Sequence, residues 1–155
     1  MGDKRSVMFV CLGNICRSPM AEAVFKEAAK LKGVNDKWYA ESAGTGGWHV
    51  GCSPDDRTMT VLRNNGIQFK HSAQQLTKED FNRFDFIFGM DQSNMRDLNR
   101  MKPKGSKAKL LLLGSFDPLG DSIIQDPYYD SDTKGFEKCY QQCMRSCTSF
   151  LEKHQ

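Results

Sequence analysis

The chain has 155 residues, of which 39% are hydrophobic and 26% charged, and its formal net charge at pH 7 is +3. This length and composition predict one globular domain that spans residues 1–155. The small positive charge indicates no nucleic-acid partner, and no segment reaches the roughly 20 apolar residues that cross a membrane. The N-terminal residues lack the apolar core of a signal peptide, so we expect a cytoplasmic protein whose six cysteines are reduced.

The first predicted strand, residues 7–10, leads into a loop with the sequence Cys-Leu-Gly-Asn-Ile-Cys-Arg-Ser at residues 11–18. A helix is predicted to follow, and a loop at a helix N-terminus can direct several backbone N–H groups at an anion. Arg17 adds a planar guanidinium that fits two phosphate oxygens. In this positive field Cys11 is expected to be a thiolate, which is a nucleophile aimed at phosphorus. Residues 11–18 are therefore called the phosphate loop.

The rest of the chain alternates between predicted helices and strands. Strands are predicted at residues 38–42, 84–90 and 110–113, and helices at residues 18–32, 53–64, from 77, from 91 until Pro103, and 136–153. Ser18 and Asp91 are the predicted N-caps of the helices that they open. This alternation predicts an α/β fold with a four-stranded parallel sheet and helices on both faces. The loops at the carboxyl ends of the strands should then meet near Cys11.

The long connection at residues 114–135 contains the sequence Asp-Pro-Tyr-Tyr, which begins at Asp126. Displacement at phosphorus needs an acid that protonates the leaving group, and general acid catalysis contributes about 10²–10⁴ in rate. Asp126 is the candidate, because the following proline restricts it to an extended conformation that can point into the site. Asp-Pro pairs are also common in turns, and Asp117 precedes a proline in the same connection. Residues 126–130 are called the acid loop.

Three aromatic residues are candidates for the walls of the site. Trp48 lies in a Gly-rich stretch, residues 43–53, that matches no nucleotide-binding fingerprint and predicts a surface loop. Tyr128 and Tyr129 follow directly after the Asp-Pro pair of the acid loop. All three rings could stack on an aromatic leaving group, although Tyr129 is equally compatible with a place in the core.

The string Cys-Leu-Gly-Asn-Ile-Cys-Arg-Ser-Pro-Met-Ala-Glu at residues 11–22 resembles the signature of the low-molecular-weight protein tyrosine phosphatases, and the similarity covers nearly the whole chain. The resemblance implies a phosphatase without a cofactor or metal that hydrolyses phosphotyrosine proteins, peptides and small aryl phosphates and releases inorganic phosphate. It implies Cys11 as the nucleophile that forms a phosphocysteine, Arg17 as the residue that binds the phosphate and the transition state, and Asp126 as the general acid and base. We expect a monomer.

The same resemblance assigns supporting roles. It implies that the phosphate is bound by Leu12, Gly13, Asn14, Ile15, Cys16 and Ser18, together with the two catalytic residues of this loop. Ser18 is expected to hydrogen-bond the Cys11 sulfur, while Ser42 and His71 hold the loop in shape without transferring a proton. Cys16 is implied as the partner of Cys11 in a reversible disulfide that protects the nucleophile from over-oxidation.

Two positions near the acid depart from the common pattern of the family. Gln125 stands where many relatives have Glu, and Asp130 stands where Gly is frequent. Gln125 directly precedes the acid loop and Asp130 is its last residue, so both bear on how this loop closes.

Four other readings of the sequence are possible. Arsenate reductases share this loop but need further redox cysteines, and residues 76–99 contain none. Bacterial protein-arginine phosphatases carry Thr where this chain has Ile15. A silent phosphotyrosine-binding module would be expected to lack the thiol or the acid, and a flavodoxin-type nucleotide site has no use for a Cys–Arg pair. Ile15 and the tyrosine pair therefore favour an aryl phosphate as the substrate.

Three cysteines recur every four residues in the last predicted helix, namely Cys139, Cys143 and Cys147. No fourth ligand has suitable spacing for a metal site, and cysteine is often buried. The sequence therefore predicts that these thiols pack in the core.

Overall fold

Four parallel strands form one sheet in the part of the chain that the computed structural model describes, residues 4–155. The strands are β1 (Arg5–Cys11), β2 (Trp38–Gly44), β3 (Phe86–Gly89) and β4 (Lys109–Leu112), in the order β2-β1-β3-β4. The helices are α1 (Arg17–Leu31), α2 (Asp56–Asn64), α3 (Asp80–Arg83), α4 (Gln92–Met101) and α5 (Lys134–Lys153), with a 3-10 helix at Leu113–Phe116. None of the helices described is long and apolar enough to cross a membrane. The predicted α/β fold is confirmed.

β1 is a central strand with a neighbour on each side, and it is buried on both faces. Val7 and Phe9 belong to the core between the sheet and α1, α2 and α5, whereas Met8 and Val10 belong to the core on the side of α3 and α4. All four side chains are fully buried. Helices on both faces explain why this strand is a continuous apolar run in the sequence rather than an alternating one. Cys11 is the last residue of β1, so its position at the carboxyl end of the sheet is fixed by a strand that is buried on both faces.

The predicted N-cap of α1 was wrong. The helix begins at Arg17, and Cys16 occupies the cap position without a side-chain hydrogen bond. The Ser18 hydroxyl, which was expected to cap the helix, faces the interior and lies 3.0 Å from the Cys11 sulfur. Serine is a common N-cap residue, but here its hydroxyl contacts the Cys11 sulfur and not a backbone N–H of the helix.

The predicted start of α2 was three residues early. α2 begins at Asp56, because the carboxylate of Asp55 accepts a hydrogen bond from the Arg57 N–H at 2.9 Å and so caps the helix. A shift of the same kind occurs at α3, which begins at Asp80 rather than at Thr77. There the Thr77 N–H donates to the Asp80 carboxylate at 2.9 Å, which is the reciprocal half of a capping box.

The continuous apolar run at residues 110–113 is typical of a buried strand, but β4 is an edge strand with one neighbour, β3. Lys109 is exposed, and the three leucines that follow it are half-buried. β3 is shorter than predicted and covers residues 86–89, whereas α5 begins two residues earlier, at Lys134. Asp91 caps α4 as predicted, because its carboxylate accepts the N–H of Asn94 at 2.8 Å.

An ion pair between Asp117 and Arg145 links the connection after β4 to α5. The Asp117 side chain is fully buried, and its carboxylate accepts hydrogen bonds from Arg145 Nε at 2.9 Å and Nη2 at 3.0 Å. The N–H of Leu119 donates a third hydrogen bond at 2.9 Å. The Arg145 guanidinium is the main reason why the pKa of Asp117 lies below its ordinary value.

We expect Asp117→Asn to lower the free energy of unfolding by about 2 kcal/mol at neutral pH, because Arg145 loses its charged partner in a largely buried place. The folded-state pKa of Asp117 is lowered, so the ion pair stabilises the fold above the unfolded value of about 3.9 and is lost as the pH falls through the folded value. Urea denaturation should therefore show a difference between the two proteins that shrinks below about pH 4. A difference that is constant from neutral to acidic pH contradicts this account.

Candidate active site

The phosphate loop turns from β1 into α1, and Asn14 adopts the conformation that makes this turn possible. Its φ of 57° lies in the left-handed region, which costs a residue other than glycine about 1 kcal/mol. The buried amide donates hydrogen bonds to Ser18 Oγ at 2.8 Å and Ser42 Oγ at 3.0 Å, and its oxygen accepts the Gln74 N–H at 3.0 Å. These contacts fix the loop in a shape that a glycine alone would not hold.

The segment after β2 braces the phosphate loop from outside. The N–H groups of Thr45 and Gly46 donate to the carbonyl oxygens of Cys11 and Leu12, each at 2.9 Å. A Cβ at Gly44 would lie 2.8 Å from the Leu12 carbonyl oxygen, so this close approach needs glycine. The bracing bonds engage carbonyl oxygens of the loop rather than its N–H groups, as a cradle for an anion requires.

Cys11 and Arg17 lie at the two ends of the phosphate loop, and both are buried. Arg17 Nη1 donates to the Asp91 carboxylate at 2.6 Å and to the carbonyl oxygen of Ile124 at 2.9 Å. Burial lowers the pKa of Arg17, but the charge of Cys11 and the hydrogen bond to Asp91 outweigh burial and raise this pKa above its ordinary value. Arg17 is therefore a fixed cation whose second guanidinium nitrogen remains for an anion.

Asp126 reaches the same place from the acid loop. Its carboxylate lies 3.8 Å from Arg17 Nη2, and its side chain is 36% exposed. The other carboxylate oxygen accepts the N–H of Tyr128 at 3.1 Å. The structure thus brings a thiol, a guanidinium and a carboxyl group together from β1, the start of α1 and a connection more than 100 residues later.

A cavity of about 340 Å³ opens between these groups. Its lining contains the catalytic candidates, part of the phosphate loop and four aromatic rings: Cys11, Leu12, Gly13, Ile15, Cys16, Arg17, Trp48, His49, Asp126, Tyr128 and Tyr129. This volume lies at the lower end of the range for small-molecule sites and suits a phosphate on a single ring.

The three predicted aromatic residues all line the cavity, and none of them is in the core. Trp48 is 72% exposed and Tyr129 is 88% exposed, so the alternative of a core position for Tyr129 was wrong. Tyr128 is 39% exposed and contacts the Tyr129 ring edge-on, with centroids 5.0 Å apart. These rings form a rim of apolar surface that is free to contact a substrate.

A buried polar network lies behind the phosphate loop. His71 Nε2 lies 2.8 Å from Asn14 Oδ1, and because this oxygen also accepts the Gln74 N–H, the His71 proton is on Nε2. The Ser42 hydroxyl donates to Glu22 at 2.7 Å, and His71 Nδ1 lies 3.5 Å from the same carboxylate. Burial lowers the pKa of His71, and the Glu22 charge opposes this effect.

Sequence reasoning missed four residues of the site. Asp91 was identified as a helix cap but not as the partner of Arg17, and Glu22 was not identified as the anchor of Ser42. A carboxylate on the apolar face of a predicted helix is a signal that could have revealed Glu22. His49 lies against Gly13 of the loop, since a Cβ at Gly13 would be 2.9 Å from its ring. Arg57 contacts the acid loop, and no pattern in the sequence indicates this.

Cys16 is a buried thiol in the phosphate loop. Burial raises its pKa, and the charge of Asp55 adds to this effect, so Cys16 remains protonated. Cys11 and Cys16 are both free thiols, and a disulfide between them remains a prediction. Mass spectrometry after peroxide treatment would check it, and Cys11 found as sulfinic or sulfonic acid alone would contradict it.

The three cysteines of α5 are fully buried in the core beside α1 and α2, as predicted. Burial raises the pKa of Cys147, and for Cys139 a hydrogen bond to Cys143 is the larger cause of the same shift. Within residues 4–155, no group of three or more His, Cys, Asp or Glu side chains is arranged to hold a metal ion.

Comparison with known proteins gives a consistent result. Residues 6–155 match the family model described as low molecular weight phosphotyrosine protein phosphatase. A protein of that name from Sus scrofa is 54% identical over 151 residues, which cover 96% of this chain and 95% of the relative. The crystal structure of Primo-1 has a TM-score of 0.93 at 47% identity and covers 96% of this chain and 97% of its own. That of a Drosophila arginine phosphatase has a TM-score of 0.91 at 38% identity, with the same coverage of the two chains.

Proposed function

Because this chain belongs to the low molecular weight phosphotyrosine protein phosphatase family, we propose that it hydrolyses phosphotyrosine in proteins and peptides through a phosphocysteine intermediate. Small aryl phosphates are substrates of the same reaction, and inorganic phosphate is the second product. One observation carries the proposal. The Asp126 carboxylate lies 3.8 Å from Arg17, in the cavity that also contains Cys11.

In the first step the N–H groups of the phosphate loop and the Arg17 guanidinium bind the phosphate dianion. The Cys11 thiolate attacks phosphorus, the S–P bond forms and the P–O bond to the tyrosine ring breaks. Asp126 in its acid form gives its proton to the departing phenolate oxygen, so that tyrosine leaves as a neutral phenol. The charge on the equatorial oxygens remains in contact with Arg17 and the loop throughout.

In the second step a water molecule attacks the phosphocysteine. Asp126, now a carboxylate, accepts a proton from this water, the P–O bond forms and the S–P bond breaks. The sulfur leaves as a thiolate, and the Ser18 hydroxyl, 3.0 Å from it, can donate a hydrogen bond to the developing charge. Inorganic phosphate then dissociates, and Asp126 is again in its acid form.

The Drosophila arginine phosphatase supports a second candidate function, hydrolysis of phosphoarginine, because its structure is so similar to this one. The walls of the cavity favour the aryl substrate. Ile15 is an apolar side chain in the lining, and Trp48 and Tyr128 present flat surfaces that fit a phenyl ring. A guanidino leaving group carries N–H donors for which the apolar Ile15 side chain offers no acceptor, so this part of the lining favours the phenyl ring.

Steady-state hydrolysis of matched peptides decides between the two candidates. We expect kcat/KM for a phosphotyrosine peptide to exceed that for phosphoserine and phosphoarginine peptides of the same sequence by at least about 10²-fold. Arsenate reduction with a thiol donor serves as the control for the reductases that share this loop. Faster hydrolysis of the phosphoarginine peptide contradicts the proposal and supports the second candidate.

We also propose that the protein acts as a monomer in the cytoplasm. All six cysteines are free thiols, and five of them are buried, which suits a reducing compartment. Gel filtration across a range of protein concentrations would check the oligomeric state, and fractionation of the source cells would check the location. A dimer at all concentrations would contradict the first point.

A further inference from the structure

Arg57 connects α2 to the acid loop through hydrogen bonds to the backbone. Its Nη1 donates to the carbonyl oxygen of Asp130 at 2.6 Å, and its Nη2 donates to the carbonyl oxygen of Tyr128 at 2.9 Å. Both acceptors are main-chain groups of the loop that carries Asp126. The contact therefore depends on the path of the acid loop rather than on its side chains, and it tolerates Asp130 at a position where the family often has Gly.

Two further contacts fix the Arg57 guanidinium. Its Nε donates to Oδ1 of Asp55 and its Nη2 donates to Oδ2, each at 3.0 Å, which makes a bidentate pair. The guanidinium carbon also lies 4.4 Å from the centre of the buried Phe136 ring. With its carboxylate partner and an aromatic ring fixed, the side chain loses little further entropy when it binds the acid loop.

The same end of α2 is bonded to the phosphate loop. The N–H of Asp55 donates to the carbonyl oxygen of Ile15 at 2.8 Å, and the Thr58 hydroxyl donates to that of Cys16 at 3.4 Å. One rigid helix end thus contacts the loop with the nucleophile and, through Arg57, the loop with the acid. It sets the distance between the two loops.

The backbone of Tyr128 links Arg57 to the carboxyl group of Asp126. Arg57 binds its carbonyl oxygen, while its N–H donates to Asp126 Oδ1 at 3.1 Å. The second oxygen, Oδ2, is the one directed toward Arg17. A restraint on the Tyr128 backbone consequently restrains the direction of the carboxyl group.

We propose that Arg57 is a positioning residue, which holds the acid loop so that Asp126 can protonate the leaving group. The inference rests on the proposed function, because it takes Asp126 as the proton donor. Arg57 is not among the residues that line the cavity. Its effect on the reaction is confined to the proton transfers that Asp126 makes, and misplacement of a catalytic group by about 1 Å can cost about 10²-fold in rate.

The test uses substrates that differ in their need for a proton. Phenyl phosphate has a poor leaving group and depends on the acid, whereas dinitrophenyl phosphate releases a phenolate that is stable without a proton. The variant is Arg57→Met, which keeps the stem on Phe136 but has no donors. Arg63→Met is the matched control, because Arg63 is an exposed residue of the same helix that donates to Thr60 at 3.3 Å.

We expect Arg57→Met to lower kcat/KM for phenyl phosphate by about 10- to 100-fold and for dinitrophenyl phosphate by less than about 3-fold. Arg63→Met should match the wild type on both substrates. When Asp126 is replaced by Ala, Arg57→Met should add less than about 3-fold, because the group on which it acts is gone. A merely structural residue would lower both rates equally and would add its full effect in the Asp126→Ala protein.

Equal loss on the two substrates, or full additivity with Asp126→Ala, overturns the inference. Thermal unfolding of each variant shows whether it is folded at the assay temperature. If Arg57→Met is unfolded at that temperature, Arg57→Lys takes its place, and the loss in kcat/KM for phenyl phosphate is again compared with the loss for dinitrophenyl phosphate. A lysine ammonium keeps the charge but cannot make the forked set of contacts. A wild-type protein that hydrolyses neither substrate overturns the proposed function and this inference together, whereas an active wild type confines the failure to Arg57.

Discussion

Replacement of Cys11 by serine should lower kcat for phosphotyrosine hydrolysis by at least about 10⁴-fold. A serine hydroxyl is not ionised at neutral pH, so it needs a base to become a nucleophile. The group beside the Cys11 sulfur is the hydroxyl of Ser18 at 3.0 Å, which cannot serve as a base. The phosphate cradle cannot supply one either, because a field that favours a thiolate does not bring the far weaker acidity of a hydroxyl into the physiological range.

The same variant should still bind inorganic phosphate and phosphotyrosine peptides. Arg17 and the loop backbone, which supply the binding groups, are unchanged, and oxygen for sulfur is a small change at a buried position. Calorimetry with inorganic phosphate measures this directly. Cys52→Ser is the matched control, since Cys52 is an exposed thiol outside the cavity lining, and it should turn over at the wild-type rate. Turnover by Cys11→Ser within tenfold of the wild type contradicts the proposed mechanism.

The parts of the fold that the sequence predicted well are those with a local cause. Residues 7–10 are continuously apolar because they are a central strand, and Asp91 caps α4 with its own side chain. Ser18 is the opposite case: the residue type is typical of a helix cap, but its hydroxyl lies 3.0 Å from the sulfur of Cys11, seven residues earlier in the chain. Local propensity cannot anticipate such a contact, and neither could it show that β4 lies at an edge.

The same distinction between local and distant causes applies to the candidate site. Cys11 and Arg17 are six residues apart in one loop, so the sequence alone predicts that they lie close together. Asp126 was identified because the chemistry requires an acid and because the chain resembles a known family. Arg57 binds carbonyl oxygens of the acid loop, and a contact with the main chain leaves no trace in the residues that it touches. Only the fold reveals such a contact.

Replacement of Asp126 by alanine should lower kcat/KM for a phosphotyrosine peptide by about 10²–10³-fold, since the phenolate must then leave without a proton. The loss should be less than about tenfold for dinitrophenyl phosphate, whose leaving group is stable as an anion. Asp126→Asn tests whether residue 126 acts as an acid or only through its hydrogen bond. The amide oxygen can still accept the Tyr128 N–H, but an amide is not acidic at the pH of the assay and cannot protonate the leaving group.

The two Asp126 variants should therefore behave alike on the phosphotyrosine peptide. If Asp126→Asn retains most of the activity, the carboxyl group acts through its hydrogen bond to Tyr128 and not as an acid. Asp121→Asn is the matched control, because Asp121 lies in the same connection, is exposed enough to contact water and pairs with Lys138 at 3.8 Å. A loss for Asp126→Ala that is the same on both leaving groups would assign this residue to substrate binding, and it would leave Arg57 with no acid to position.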